Sequence, residues 1–421
     1  LVAAFKAPQA LLAMVRDTAR NRLLGAGLDG QLYAADLAIW PPSSEAAAPD
    51  ATVPNVDGKP EQKKEVAQSD TGKSDTGKSD TGKSDTGKSD TGKSDTGKKD
   101  ADKKDASEVI RRDAAKLWRL HDNYVAGLVL REDVLVSASY DRTLAWWNAA
   151  TGERLRSVPA HDGWVRKIAL LPSTAMAPSG SSDWRIVSVG DDMVAKVWDG
   201  ATGELLATLR GHAPRSPQGF ATALYTVAAH PSGRFVAAAD RVGECLVWEV
   251  GSGAVAARFT AADFYTYDTA KRARSIGGVR ALAFSPDGSK LAVAGIGQVT
   301  NVDGFVGPAR LEIWDWQAAR RDYAGQAKHQ AIQNDIQFVN PPADGGTSST
   351  STQADAAAII PWVVTAGGGD GGGNMAFWKT SDSAPVHLAK PEGHAHQLLF
   401  DLERGRMFLA GHGGFQIWRT S

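Results

Sequence analysis

The chain has 421 residues, with 47 Lys and Arg against 48 Asp and Glu and a net charge of −1. That length suits one large all-β domain or two smaller ones, and the balanced charge argues against general binding to nucleic acid or to an anionic membrane surface. The single cysteine, Cys245, excludes an intrachain disulfide and a cysteine-based zinc site, and there is no apolar run of roughly 18 residues to offer a membrane span.

The first residue is Leu1 and not Met. This reads as a processed or trimmed product. A removed signal peptide would leave no trace, so the compartment stays open, with the cytoplasm favoured.

Residues 1–6, LVAAFK, read as a strand without a partner in the unit that follows. The next strands are predicted at 11–15, 22–27 and 31–37. Residues 41–115 are rich in Pro, Ala, Ser, Asp and Lys, and contain six tandem copies of Ser-Asp-Thr-Gly-Lys from Ser69 to Lys98. Such a stretch buries too little apolar area to offset its ordering entropy, so it is read as a disordered insert. The segment 72–79 satisfies the phosphate-loop pattern GxxxxGK[ST]. A working phosphate loop lies between a buried strand and a helix; neither flanks this one, so the match is read as a by-product of the repeat. The interrupted strand is expected to resume at 116–120, which gives a folded domain over 1–40 and 116–421.

From there short strands and turns recur. Strands are predicted at 125–130, 133–139, 143–148 and 153–158, then at 165–170, 186–190, 194–198 and 204–210. The fourth group follows at 223–229, 234–239, 244–249 and 254–260. The fifth group covers 279–284, 290–295 and 309–314, with a weakly marked outer strand near 321–323. The sixth has 335–339, 362–366 and 375–378, and the seventh 396–400, 406–410 and 415–418. Alternating apolar residues and Asp/Gly-rich turns support these assignments.

The stretch 184–212 carries the repeat most fully: a strand through Ser188, Asp191-Asp192, a strand ending at Trp198-Asp199, and a third strand ending at Gly211-His212. Residues 137–148 match 188–199 position by position. Trp248, Trp314, Trp378 and Trp418 each close a strand in the same way, and 27–36 fits with Ala35 in the Trp place. That makes seven units, and a repeat of roughly 40–45 residues built from four strands marks a propeller. On these residues the chain resembles the WD-repeat family of β-propellers. The resemblance implies an all-β, seven-bladed propeller of four-stranded antiparallel blades. The last unit stops after its third strand, so residues 1–6 are expected to complete it and close the ring, the alternative being a frayed terminus.

The resemblance also implies two structural hydrogen-bond sets, His121-Ser137-Asp141-Trp147 and His161-Ser188-Asp192-Trp198. Either could be mistaken for a hydrolase triad, but no oxyanion hole or open nucleophile accompanies them. The fourth unit keeps His212 and Trp248 but has Val242 where Asp is expected. The sixth and seventh keep His329, Trp378, His394 and Trp418 without the Asp, and the fifth lacks the His.

Long connections at 211–222, 261–278, 296–308 and 367–374 fall on one face, the top; the 41–115, 171–183 and 340–359 segments fall on the other. The top loops carry Phe264, Tyr265, Tyr267, Lys271, Arg272, Arg274, Asn301, Asp303 and Phe305. Aromatics beside Arg are enriched at interface hot spots, so these residues are expected to bind a protein or peptide partner. The alternative is that the aromatics fold back into their own loops. The function expected is a non-catalytic scaffold, monomeric by itself, with no catalytic residue, cofactor, metal ion, nucleic acid or membrane span. A second function stays open: an enzyme or small-ligand binder at the channel mouth using Tyr265, Arg274, Asp303 and His412. Asp303 and Asp370 are too few to make a metal site.

Overall fold

Alternation of apolar side chains with Asp/Gly turns gives each unit four short antiparallel strands, and stacking the units hides both faces of the inner ones. The computed structural model describes residues 1–39, 109–172, 184–268, 274–299, 307–339, 362–369 and 371–420. These belong to one compact unit, Leu1–Pro42 with Glu108–Ser421; a second unit, Ser43–Ser107, lies outside the described residues. The tandem pentapeptides lie outside the described residues, as do residues 173–183 of the loop expected at 171–183 and the loop expected at 340–359.

Seven antiparallel sheets follow one another as blades. Blade one is Leu11–Asp17, Arg22–Gly27, Gln31–Asp36 and Ala115–Arg119. Blade two is Val125–Arg131, Val134–Ser139, Thr143–Asn148 and Arg154–Pro159, and blade three Val165–Leu171, Arg185–Gly190, Ala195–Asp199 and Leu205–Leu209. Blade four is Leu224–Ala229, Phe235–Asp240, Glu244–Glu249 and Val255–Thr260; blade five is Val279–Phe284, Leu291–Ile296, Pro308–Asp315 and Arg320–Gln330. Blade six is Ile332–Val339, Trp362–Gly369, Gly372–Lys379 and His387–Ala389. Blade seven is Ala395–Asp401, Arg406–Gly411 and Gly414–Arg419, completed by Ala3–Lys6.

The inner strands touch in sequence around a ring that returns from blade seven to blade one. The core is divided accordingly into apolar seams, one between each neighbouring pair of blades. Second strands such as Arg185–Gly190 and Leu291–Ile296 are buried along their whole length, whereas the outer strand Val255–Thr260 alternates. The inner strands therefore read as continuous apolar runs and the outer ones as half-polar.

The ring closes through Ala3–Lys6, which pairs antiparallel with Gly414–Arg419 in the register Ala3↔Ile417 to Lys6↔Gly414. Phe5 fills the seam between blades seven and one. Gly414 permits the close approach: its φ is 111°, and a Cβ there would lie 2.0 Å from the Phe5 carbonyl oxygen. Closure removes two strand edges that would otherwise be open to pairing with other chains.

Four elements differ from expectation. Ile110–Asp113, placed inside the insert by the sequence reading, is a strand that pairs parallel with Ala3–Lys6 as a fifth strand of blade seven. The blade one outer strand is Ala115–Arg119, so the ordered chain resumes earlier than residue 116. The blade five outer strand is the longest of the described strands at 11 residues, Arg320–Gln330. The 261–278 connection contains a hairpin of Tyr265–Asp268 and Arg274–Gly277.

Candidate functional site

In every blade the second-to-third strand turn and the approach to the first strand fall at the same end, because antiparallel strands alternate direction. This is the top face, and the repeated turns meet there. In blade two, His121 Nδ1 lies 2.7 Å from Asp141 Oδ2, and Nε2 lies 2.7 Å from Ser137 Oγ. Trp147 Nε1 donates to Ser137 Oγ at 2.9 Å. Burial pushes the Asp141 carboxyl up, but hydrogen bonds from His121 and Thr143 outweigh it and hold the pKa at about 2. Asp141 is therefore an acceptor only, so His121 donates from Nδ1 and accepts the Ser137 hydroxyl at Nε2. The chain of donors runs from indole to serine to imidazole to carboxylate.

Blade three repeats it. His161 is 2.8 Å from both Asp192 Oδ1 and Ser188 Oγ, and Trp198 Nε1 donates to Ser188 Oγ at 2.9 Å. The polarity is that of a serine hydrolase triad. However, Ser137 and Ser188 are both 0% exposed, and each serine oxygen is already occupied by an indole N–H. Neither can meet a substrate.

The other blades satisfy their indoles differently. Trp378 Nε1 donates to Thr365 at 2.9 Å, Trp248 Nε1 to the Arg210 carbonyl at 2.8 Å, and Trp314 Nε1 to the buried Glu312 at 3.0 Å. Arg310 and Arg321 neutralise Glu312 at 2.7 and 3.0 Å. Trp418 Nε1 has no acceptor among the described residues.

The long top connections of blades three to five form one cap. Tyr265 donates its hydroxyl to Gln218 Oε1 at 2.6 Å, and the rings of Phe220 and Tyr267 lie 5.9 Å apart. The Val299 N–H donates to Thr266 Oγ1 at 2.8 Å, and Ile276, Ile296 and Val299 share a small apolar cluster. Three segments distant in sequence are thereby tied together.

Beside the cap lies a second array. Every inner strand carries one extra residue near its top end, where the register slips: Leu12, Ala126, Arg166, Tyr225, Arg280, Asn334 and His396. These β-bulges re-aim a side chain at the mouth of the channel. Arg280 and Arg166 lie over Tyr225 from either neighbouring blade, at 4.4 and 4.9 Å from the ring centroid. Arg166 also lies 4.8 Å from the Trp164 ring and is held by Asp191 at 2.6 Å. Trp164 stacks on Tyr140 at 4.5 Å, and Tyr140 meets Tyr124 at 5.5 Å. Trp164 and Tyr124 remain 44% and 42% exposed, so this ladder presents aromatic surface to solvent.

The WD domain, G-beta repeat family matches residues 152–199, which run from the outer strand of blade two through Trp198-Asp199. The described residues form a seven-bladed β-propeller whose second and third blades carry a WD repeat. A ribosome biogenesis protein WDR12 homolog of Chlamydomonas reinhardtii is 35% identical over 127 residues, covering 28% of this chain and 25% of that protein. Nuclear distribution protein PAC1 of Coccidioides posadasii is 32% identical over 87 residues, 21% of this chain and 17% of that protein. Telomerase protein component 1 of Rattus norvegicus is 29% identical over 175 residues, 42% of this chain and 6% of that protein. The WD-repeat chain thus spans a quarter or less of the length of these relatives.

The structure divides the residues expected at the partner site. Phe264, expected as an exposed aromatic, is 0% exposed. It ends a short 3-10 helix, Ala262–Phe264, and turns down into the seam between blades four and five, with Arg310 over its ring at 5.8 Å. Burial of that apolar ring outweighs its exposure at a surface. Tyr265 and Tyr267 are half-buried in the cap. Arg274 contributes its backbone to the hairpin. Lys271, Arg272, Asn301, Asp303, Phe305 and Asp370 lie outside the described residues. Tyr265 and His412 are not brought together: Tyr265 is bonded to Gln218, while His412 on blade seven stacks on His394 at 5.1 Å. Among the described residues no helix is long and apolar enough to cross a membrane.

The Tyr124–Tyr140–Trp164 ladder was missed. Its signal is present in the repeats: Tyr124 and Trp164 each follow the blade histidine, His121 or His161, by the same interval. Aligning the units by their histidines exposes two aromatics at equivalent top-face positions.

Proposed function

We propose that this WD-repeat propeller is a non-catalytic scaffold that binds a protein or peptide across its top face. Contact runs over this cap and the top-face loops of blades four to six through Tyr265, Tyr267, Lys271, Arg272, Arg274, Asn301, Asp303 and Phe305. Phe264 serves as the buried anchor beneath the hairpin. The observation that carries this reading is the joining of three long top connections into one cap by Tyr265–Gln218, Phe220–Tyr267 and Thr266–Val299. A surface ordered by such cross-links pays less entropy on binding than separate mobile loops. The adjacent Tyr124–Trp164 ladder supplies the aromatic and Arg side chains that dominate interface energetics. Ser137 and Ser188, buried in structural networks, are not available as nucleophiles at blades two and three. The relatives carry names from ribosome biogenesis, nuclear distribution and telomerase, so likeness to them suggests no common substrate.

The test is affinity capture with the intact chain against a Tyr265→Ala/Tyr267→Ala/Arg274→Ala variant and a Tyr124→Ala/Trp164→Ala variant, all checked for unchanged melting. The account expects a partner lost from the first variant. Identical partner lists for the intact chain and both variants would overturn it.

A further inference from the structure

Blade four breaks the hydrogen-bond pattern of blades two and three in a specific way. The serine of the pattern is replaced by Ala238 and the aspartate by Val242. The histidine remains as His212, with its side chain 0% exposed and neither ring nitrogen hydrogen-bonded. In place of the lost partners two other carboxylates face the ring. His212 Nδ1 lies 3.5 Å from Asp240 Oδ2 and 3.4 Å from Glu244 Oε2.

Each carboxylate is held by its other oxygen. Asp240 Oδ1 accepts the backbone N–H groups of Val242 at 2.9 Å and Glu244 at 3.0 Å. Glu244 Oε1 accepts from Arg258, which also donates to the Gly211 carbonyl at 3.1 Å. The free oxygen of each is left turned toward the same imidazole nitrogen, with the three atoms within 4.8 Å of one another.

We propose that His212, Asp240 and Glu244 form a binding site for a divalent first-row transition-metal ion such as zinc. Four ligands at about 2.0–2.1 Å in tetrahedral geometry stand about 3.3–3.4 Å apart. The two nitrogen-to-oxygen separations, 3.5 and 3.4 Å, match that edge. Both are long for hydrogen bonds. One nitrogen and two oxygens suit zinc or a neighbouring divalent ion; calcium and magnesium favour all-oxygen shells with more ligands. Glu244 is 19% exposed on its side chain, which leaves a solvent-facing fourth position. The backbone bonds to Asp240 and the Arg258 contact to Glu244 act as the outer partners that orient metal ligands. The competing occupant of the same triangle is a proton. Burial disfavours the charged imidazole, but Asp240 and Glu244 outweigh it and raise the His212 pKa. A metal ion would displace that proton.

The site is tested by titrating the metal-stripped full chain with zinc ion in calorimetry, in two buffers of different ionisation enthalpy. Cobalt(II) serves as a spectroscopic probe of coordination. The expected result is one ion per chain, proton release on binding, and the intensified visible bands of four-coordinate cobalt. Glu244→Gln, which keeps the side chain's shape, is expected to weaken binding about 100-fold or more, with His212→Ala at least as severe. His412→Ala, which alters a separate histidine group on blade seven, is expected to leave it unchanged. If His212→Ala does not fold, Glu244→Gln and the cobalt spectrum decide. Equal affinity in the intact chain and Glu244→Gln, or loss of binding in His412→Ala, would overturn the assignment and leave a protonated His212 between two carboxylates.

Discussion

Ser188→Ala tests the hydrogen-bonded sets, and the cost follows from what Ser188 touches. Its oxygen is fully buried and lies 2.9 Å from Trp198 Nε1 and 2.8 Å from His161 Nε2. Removing it orphans two buried polar groups, each at about 1–3 kcal/mol. Blade four shows how far the fold can compensate. There Ala238 occupies the equivalent place; Trp248 turns to the Arg210 carbonyl at 2.8 Å, and His212 gains no hydrogen bond. If Trp198 finds a carbonyl in the same way, only His161 is orphaned. The expected loss therefore lies between one group and two, at about 2–4 kcal/mol. The assay is urea unfolding followed by tryptophan fluorescence, read as a midpoint shift at constant m-value. Trp198→Phe in the Ser188→Ala background should cost less than in the wild type, because the indole donor has already lost its acceptor. A Ser188→Ala loss under about 0.5 kcal/mol, or strict additivity in the double mutant, would refute the reasoning.

Phe5→Ala opens the seam between blades seven and one, where Phe5 is 3% exposed, and is expected to cost about 3–5 kcal/mol by urea midpoint. A change under about 1 kcal/mol would mean that Ala3–Lys6 adds little to closure. Asp141 has a folded pKa of about 2, below the ordinary carboxyl value near 3.9. A group depressed on folding adds stability above its unfolded pKa, and that stability fades as the pH falls from about 4 to about 2. Asp141→Asn is expected to flatten this part of the stability profile, and equal acid sensitivity in both proteins would contradict the assignment. Tyr225→Leu removes the ring between Arg166 and Arg280 and is expected to lower stability by about 1–2 kcal/mol at low salt. An unchanged midpoint would show that the arginines are held by other partners.

The repeat was legible because six of the seven units end a strand with Trp, and period-two alternation marks the strands between. Ring closure was legible as a missing outer strand at one terminus and a spare strand at the other. Ile110–Asp113 was not, since its sequence IRRD has a single apolar residue and follows the low-complexity stretch. Its strand conformation comes from pairing with Ala3–Lys6. The hairpin in 261–278 was not legible, since its strands, Tyr265–Asp268 and Arg274–Gly277, are only four residues each. Residue type identified Phe264 as a hot-spot aromatic, but only the backbone turn at 262–264 decides that it points inward. The mouth array depends on one extra residue per inner strand. A bulge shifts every later side chain to the opposite face, and that shift has no mark in composition.

Hydrogen exchange of the chain alone and with its captured partner measures the central claim most directly. The account predicts slower exchange at 215–220, 265–268 and 274–278, with melting of the blades unchanged. Protection confined to the opposite-end turns at 18–21, 231–233 and 286–289, with the cap unaffected, would contradict it.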